Sequence, residues 1–360
     1  MKKKITMFSS SLAGGGSESV CVSIANSFAN KNWQVDLIIL NLKNEAYLNR
    51  LSNKINLIVL NKNHARYSGL AFLKYFLKYK PGKVITFNYE LTVMLVILRF
   101  LFRLNLIIIA RNPNTLSIKI EKLKDQNFWT KFIVLNLIKY FYHKTDHVVN
   151  QCHAMRHDLI KLYPKLHRRT SVIYNPIPLH IKEYIEKKDY ILCVARLEKQ
   201  KGLHNAIKVF SEIADQYPTL RFKIVGQGSL EKQLKKIAFD FSVSSRIDFV
   251  GFKKNIIPFY LHAKATILTS AYEGYPNVLI ESIALNTPVV SFDCPNGPSE
   301  IIKEGVNGYL AKNKDIADFK KKLSFILSNN FETNNLKLSI KNNYIDEILK
   351  TYEKLINSFS

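Results

Sequence analysis

The chain has 360 residues with 47% hydrophobic and 12% aromatic content, which excludes a largely disordered protein and suffices for two domains with separate cores. Its formal net charge of +25 is uneven: residues 1–178 carry 27 Lys/Arg against 8 Asp/Glu (+19), and residues 179–360 carry 26 against 20 (+6). A basic N-terminal half suits a polyanionic partner such as nucleic acid, an anionic membrane surface or a phosphorylated acceptor, with a merely solvated basic face as the plainer alternative. Cys21, Cys152, Cys193 and Cys294 are far apart and form no CxxC pair, so metal and disulfide frameworks are not expected and a reducing cytoplasm fits.

Taken in chain order, short β-branched runs alternate with helical patterns. Lys2-Lys3-Lys4 and the apolar residues after it mimic a signal-peptide start, but Ser9-Ser10-Ser11 and Gly14-Gly15-Gly16 interrupt the run. Ile5–Phe8 reads as a strand, followed by the glycine loop and a helix over about Glu18–Lys31. Val35–Leu40, Leu57–Leu60, Lys83–Phe87, Leu106–Ile109 and His147–Asn150 read as further strands. Arg99, Arg103 and Arg111 break up the most hydrophobic region, so no uncharged stretch reaches spanning length and a soluble or peripheral protein is expected. Asn175-Pro176-Ile177-Pro178 and the charged stretch Lys182–Asp189 mark a linker. The alternation then restarts: strands at Tyr190–Ala195, Phe222–Val225, Ile247–Val250, Ala265–Leu268 and Val289–Phe292, helices at Leu203–Gln216 and Leu230–Phe241. Uninterrupted apolar strands between helices predict parallel sheets covered on both faces, hence two doubly wound α/β domains with ligands at the strand C-termini. The amphipathic segment Tyr344–Phe359 is placed to fold back across the hinge.

The most informative stretch is Glu273-Gly274-Tyr275-Pro276-Asn277-Val278-Leu279-Ile280-Glu281. A Gly-x-Pro turn leaves backbone N–H groups ahead of a helix starting near Val278, which suits a phosphate or a polarised sugar. Glu281 falls about one turn into that helix, where it can accept from vicinal hydroxyls. Both acids also fit a plainer role as dipole-favoured residues near a helix start. Gly15 and Gly16 follow the first strand and allow close backbone approach to a ligand, though the loop is neither a Walker loop nor GxGxxG. Arg196 follows a strand, and Lys201-Gly202 precedes a helix; such cations clamp a diphosphate and offset charge on a leaving group. Gly226 and Gly228 end another strand in the same manner.

In combination these positions resemble the family 4 glycosyltransferases of the GT-B fold. The matching text is Gly15-Gly16-Ser17-Glu18, Val194-Ala195-Arg196-Leu197 with Lys201-Gly202, Val225-Gly226-Gln227-Gly228, and Phe249-Val250-Gly251. It ends with Ser270–Val278, Glu281, Pro288-Val289-Val290 and Gly297-Pro298-Ser299-Glu300-Ile301-Ile302. The resemblance implies two Rossmann-like domains facing across a cleft: an acceptor domain over 1–178 with a returning helix near 344–360, and a nucleotide-sugar domain over 179–343.

It further implies that Arg196 and Lys201 hold the diphosphate of a UDP-sugar, that Glu281 binds the ribose, and that Glu273 lies beside the donor sugar. The backbone of Gly274, Tyr275, Pro276, Asn277 and Val278 contacts sugar and phosphate, Val250 and Gly251 frame the base, and Gly15/Gly16 approach the diphosphate. Transfer of a hexose or N-acetylhexosamine with retention is implied, by front-face attack, with a covalent role for Glu273 as the competing idea. The acceptor is expected to be polyprenyl-diphosphate-linked or a surface polysaccharide, on the cytoplasmic side of the plasma membrane. The sequence contains no Asp-x-Asp pair, so neither a metal nor any other cofactor is expected. Many relatives place a His after a mid-domain strand; here Ala110-Arg111-Asn112-Pro113-Asn114 stands there, with Arg111 a candidate phosphate contact, while His147 and His153 read as structural. The basic-aromatic stretches Arg66–Lys83 and Arg99–Arg103 suit an anionic membrane interface. A sugar-nucleotide epimerase is an alternative within the fold; nucleic-acid binding would explain the charge but not the Glu273–Glu281 block.

Overall fold

The computed structural model describes residues 3–42, 46–124, 128–177 and 185–359, apart from the side chains at 122, 124 and 128–131. The chain divides into two compact units, Met1–Pro178 with Asn343–Ser360, and Leu179–Asn342. The linker expected over 175–189 lies in part, at 178–184, outside the described residues.

The first unit holds strands β1 (Lys4–Ser9), β2 (Gln34–Ile39), β3 (Asn56–Val59), β4 (Lys83–Thr86), β5 (Ile107–Arg111), β6 (His147–Asn150) and β7 (Thr170–Val172). Its helices are α1 (Gly16–Asn30), α2 (Gly69–Tyr79), α3 (Tyr89–Phe102), α4 (Leu116–Lys124), α5 (Phe128–Phe141) and α6 (His153–Leu162). The strands form one parallel sheet in the order β3-β2-β1-β4-β5-β6-β7. The order reverses direction between β1 and β4, the kind of switch point where open α/β sheets bind ligands.

The second unit holds β8 (Tyr190–Val194), β9 (Arg221–Val225), β10 (Ile247–Gly251), β11 (Ala265–Leu268), β12 (Val289–Phe292) and β13 (Gly308–Ala311). Its helices are α7 (Leu203–Ile213), α8 (Glu231–Asp240), α9 (Ile257–His262), α10 (Asn277–Ala284), α11 (Pro298–Ile301), α12 (Ile316–Ser328) and α13 (Thr333–Ser339). A final helix, α14 (Ile345–Asn357), belongs to the first unit. This sheet is also parallel, in the order β10-β9-β8-β11-β12-β13, with its switch point between β8 and β11. β11 and β12 are buried along their whole length, which is why they read as largely apolar runs interrupted only by the small hydroxyl residues Thr266 and Ser291. On α7, Leu203, Ala206, Ile207, Phe210 and Ile213 recur at helical spacing and enter the second unit's core.

α14 joins the first unit's core through Ile348, Leu349, Tyr352 and Ile356, each at most 3% exposed. Burying each such side chain is worth about 1.5–3 kcal/mol, so this short helix is firmly held. Its approach is fixed by hydrogen bonds from Ile177 N to Asn343 O (2.7 Å) and from Asn343 Nδ2 to Asn175 O (3.0 Å). Among the described residues no helix is long and apolar enough to cross a membrane.

Candidate active site in the second unit

The loops after β8 and β11, the two strands at the switch point, are sewn together by main-chain and side-chain hydrogen bonds. Ala271 N donates to Gln200 O (2.8 Å), Gln200 Nε2 donates to Tyr272 O (3.1 Å), and Thr269 Oγ1 donates to Gly202 O (3.0 Å). The loop after β12 is tied in by Glu273 N donating to Pro295 O (3.1 Å). The loops after β8 and β9 are joined by Leu197 N to Gln227 O (3.0 Å) and Leu230 N to Leu197 O (3.0 Å). The carboxylate of Glu198 accepts from Ser229 N and Oγ at 3.2 and 3.1 Å. Four strand-end loops thereby form one hydrogen-bonded platform.

Glycine is required where these loops touch. At Gly226 (φ +145°) an added Cβ would lie 1.9 Å from Ala195 O, and at Gly228 it would lie 2.5 Å from Leu197 O. The Gly297 position (φ +87°) places such a carbon 2.6 Å from Gly274 O, locking the loop after β12 against the Gly-x-Pro turn. Backbone oxygens cannot retreat as a side chain can, so these contacts set the spacing of the platform.

Lys201 Nζ donates to Glu273 Oε1 at 2.6 Å, with side-chain exposures of 16% and 8%. Nearly buried, this pair is costly to break from either side. Arg196, in the same loop, is exposed; its backbone O accepts from Glu198 N (2.8 Å), and its guanidinium makes no hydrogen bond or ion pair among the described residues. α10 starts at Asn277, one residue before the sequence expectation, with Pro276 at its N-cap and no side-chain cap. Glu281 is half-buried on that helix and accepts from Tyr260 Oη at 3.1 Å. Burial, reinforced by Glu281, pushes the Tyr260 phenol well above its usual range, so it is a permanent donor. Gly274, Tyr275 and Pro276 are buried, with Asn277 and Val278 half-buried. Val250 and Gly251 (φ +74°) end β10 at a register shift, where Gly251 O accepts from Gly226 N at 3.0 Å. Two cations and a helix N-terminus suit a diphosphate; two carboxylates on the same platform suit sugar hydroxyls.

Sequence reasoning missed Tyr260, Gln200 and Thr269 as supporting residues, and gave Ser270 no role beyond its place in the matching stretch. Ser270 Oγ is buried without a hydrogen-bond partner among the described residues. Only the platform's geometry singles these residues out, because their types carry no motif of their own.

Gly15 and Gly16 sit elsewhere, exposed at the start of α1 in the first unit, where Gly15 is the N-cap without a side-chain cap. Beside them, Ser10 N donates to Asn88 Oδ1 (3.0 Å), closing the β1/β4 switch point. Arg111 is not available to a ligand, contrary to the expectation of a phosphate contact. It is 2% exposed, the last residue of β5, and donates to Tyr352 Oη (2.5 Å), Asn175 Oδ1 (2.7 Å) and Ile173 O (3.2 Å). Its work is to tie α14 to the sheet. His147 Nε2 lies 2.9 Å from Ser171 Oγ, and burial with the nearby Arg169 lowers its pKa to about 4. The exposed His153 meets the Tyr174 ring edge-on, at 6.5 Å between centroids. The stretch Arg66–Lys83 is split: Phe72 and Tyr75 enter the core, while Tyr67, Leu70, Leu77 and Tyr79 are exposed. Phe100, Leu101 and Phe102 at the end of α3 are also exposed.

Two parallel α/β units, the second carrying this cationic and carboxylate platform at its switch point, define a GT-B-type transferase. Residues 14–180 match Glycosyltransferase Family 4 and residues 179–344 match Glycosyl transferases group 1. The chain belongs to the family 4 glycosyltransferases. It is 24% identical over 359 residues to the amylovoran biosynthesis glycosyltransferase AmsD of Erwinia amylovora, covering 95% of this chain and 96% of that one. It is 30% identical over 206 residues to an α-1,4-N-acetyl-D-galactosaminyltransferase of Campylobacter jejuni whose name carries a PP-undecaprenol-linked glycan, covering 54% of this chain and 56% of that enzyme. Among solved structures, HepE of Anabaena in complex with UDP-glucose superposes with a TM-score of 0.79 at 17% identity, covering 99% of both chains, a likeness of fold.

Proposed function

We propose that this glycosyltransferase moves a hexose or N-acetylhexosamine, with retention, from a UDP-sugar to a lipid-linked or polysaccharide acceptor at the cytoplasmic membrane face. The observation that carries the reading is the buried Lys201–Glu273 pair on the same platform as Arg196 and Glu281. In this reading Arg196, Lys201 and the first-turn amides of α10 take the diphosphate, and Glu281 takes the ribose hydroxyls. Glu273 faces the donor sugar. The bond from the anomeric carbon to the phosphate oxygen breaks as the acceptor oxygen attacks the same face. The acceptor proton passes to the leaving phosphate, so no protein nucleophile is required. Rate comes from positioning and from cations that stabilise the leaving group.

Support for a UDP-sugar comes from HepE, which binds UDP-glucose, and support for a lipid-linked acceptor comes from the Campylobacter enzyme. A membrane location draws on the exposed aromatics of α2 and α3 among lysines of a strongly basic half. The decisive experiment is a thermal-shift panel of nucleotide sugars with and without EDTA. Stabilisation by one UDP-sugar and by UDP, unchanged by EDTA, is the expected result. No shift with any nucleotide sugar would refute the donor site, and recovery of an epimeric sugar nucleotide after incubation of the donor without acceptor would make the enzyme an epimerase.

A further inference from the structure

The first unit carries a second basic site, at the N-terminal end of its central strands, opposite the end that carries the glycine loop. Lys4 opens β1 and Lys83 opens the adjacent β4, so both lie at strand N-termini, whereas Gly14–Gly16 follow the C-terminal end of β1. Between them is a cavity of about 340 Å³ lined by four lysines, Lys3, Lys4, Lys80 and Lys83, together with Trp33 and Thr6. None of its lining residues is acidic. The nearest carboxylates are already engaged: Asp36, itself buried, pairs with Lys4 Nζ at 3.0 Å, and Glu353 accepts from Trp33 Nε1 at 3.2 Å and pairs with Lys31 at 3.8 Å.

The walls are built rather than incidental. Thr6 is 1% exposed and shares a hydrogen bond with Tyr75 Oη at 3.1 Å, and Tyr75 Oη donates to Asp36 at 2.6 Å. Lys83 Nζ gives one N–H to Ile356 O (2.8 Å), which fixes its direction and leaves two donors. Lys80 is held at the end of α2 in the left-handed region (φ 42°) by its N–H donating to Phe76 O (2.8 Å), while neither its ammonium nor that of Lys3 makes a hydrogen bond or ion pair among the described residues. Lys3 Nζ stands 5.4 Å over the Trp33 ring. Four ammonium groups against one paired carboxylate leave a surplus of positive charge around a ligand-sized space, at the lower end of the usual range of about 300–1,000 Å³. A dianionic phosphate relieves that repulsion, and the indole supplies an apolar wall for whatever the phosphate bears.

We propose that this cavity is a binding site for a phosphorylated ligand, taking a phosphate or diphosphate group between Lys3, Lys80 and Lys83 with its substituent against Trp33. It is separate from the donor platform and stands whether or not the donor assignment holds. The group can come from a soluble phosphate compound or from the headgroup of an anionic lipid.

The test uses the full chain with Trp129→Phe, which leaves Trp33 as its only tryptophan. Pyrophosphate is titrated while Trp33 fluorescence is followed, and vesicles of phosphatidylglycerol are compared with vesicles of phosphatidylcholine. The expected result is a saturable change with pyrophosphate, weakened at least tenfold in Lys3→Glu/Lys80→Glu and in Lys80→Glu alone, at unchanged melting temperature. The same response is expected to survive in Lys201→Ala, which reports on the donor platform, and in Lys232→Glu/Lys236→Glu, which makes an equal charge change on exposed lysines of α8. A response to phosphatidylglycerol vesicles displaced by pyrophosphate identifies a headgroup; a response to pyrophosphate with none to vesicles identifies a soluble ligand. Absence of any saturable response, or equal loss in the α8 variant, would overturn the proposal.

Discussion

Replacing Lys201 by alanine leaves the Glu273 carboxylate buried without its ammonium, a change that typically costs about 3–5 kcal/mol. Removing both partners abolishes that stranded charge. Thermal melts are therefore expected to rank wild type above Lys201→Ala/Glu273→Ala, and the double variant above Lys201→Ala. For function, Lys201→Ala and Glu281→Ala are expected to weaken UDP binding by about 10–100-fold, the value of about 1.5–3 kcal/mol for a hydrogen bond to a charged group. Glu273→Ala is expected to lower kcat with little change in UDP affinity. Calorimetry with UDP and initial-rate kinetics separate the two, and wild-type UDP affinity in both of the first variants would sink the site assignment. His147 makes a pH prediction of definite sign. Its folded pKa of about 4 lies below the unfolded value near 6.5, so the unfolded chain binds the extra proton between those values. Stability is then fully present above pH 6.5 and declines as pH falls toward 4, by roughly 3 kcal/mol. His147→Asn is expected to flatten melting temperature across that window.

At the scale of elements, the platform depends on glycines of two kinds. Gly226→Ala and Gly228→Ala push a carbon into backbone oxygens of the neighbouring loop, so both are expected to lower the melting temperature markedly and to abolish nucleotide binding. At Gly251 an added Cβ meets nothing within 4 Å, and only the φ of +74° opposes it. Gly251→Ala is expected to cost about 1–2 kcal/mol and to leave the fold intact. Thermal melts and UDP titrations of the three variants check the ranking. The same contrast explains what was legible in the sequence. β11 and β12 were readable to the residue because strands buried on both faces are largely apolar, and β6 because its Val148-Val149 pair stands between polar residues that bound it. The strands β7 and β13 were not read, since both are short sheet edges with partly exposed positions. The Glu273–Glu281 turn was readable because Gly, Pro and two acids are rare at that spacing. Tyr260 and Gln200 were not, because their roles exist only once β8 and β11 lie side by side and α9 brings Tyr260 to Glu281 on α10. Arg111 misled for a related reason: its place after an apolar strand was visible, but its partner Tyr352 lies 241 residues away.

The molecule's charge acts on a longer range than any of these contacts. With +25 in total and most of the surplus in residues 1–178, attraction to anionic vesicles is expected to be strong at low salt. It should fall steeply between about 0.05 and 0.5 M NaCl as the Debye length shrinks below about 10 Å. Co-sedimentation with phosphatidylglycerol vesicles measures this, and salt-independent binding would point to insertion of the exposed α2 and α3 aromatics instead. α14 has a consequence of another kind, for synthesis rather than for the finished enzyme. The first unit is built from residues 1–178 and 343–360, and the last of these supply core side chains and the hydroxyl that meets Arg111. A ribosome adding about 5–20 residues per second needs roughly 8–33 s to pass through the intervening 179–342. Throughout that interval the newborn amino-terminal half carries an unfinished, basic and partly apolar face, whereas the second unit, contiguous in sequence, can close as soon as it emerges. The half made first is thus the half completed last, and its exposure to chaperones is written into the order of the gene.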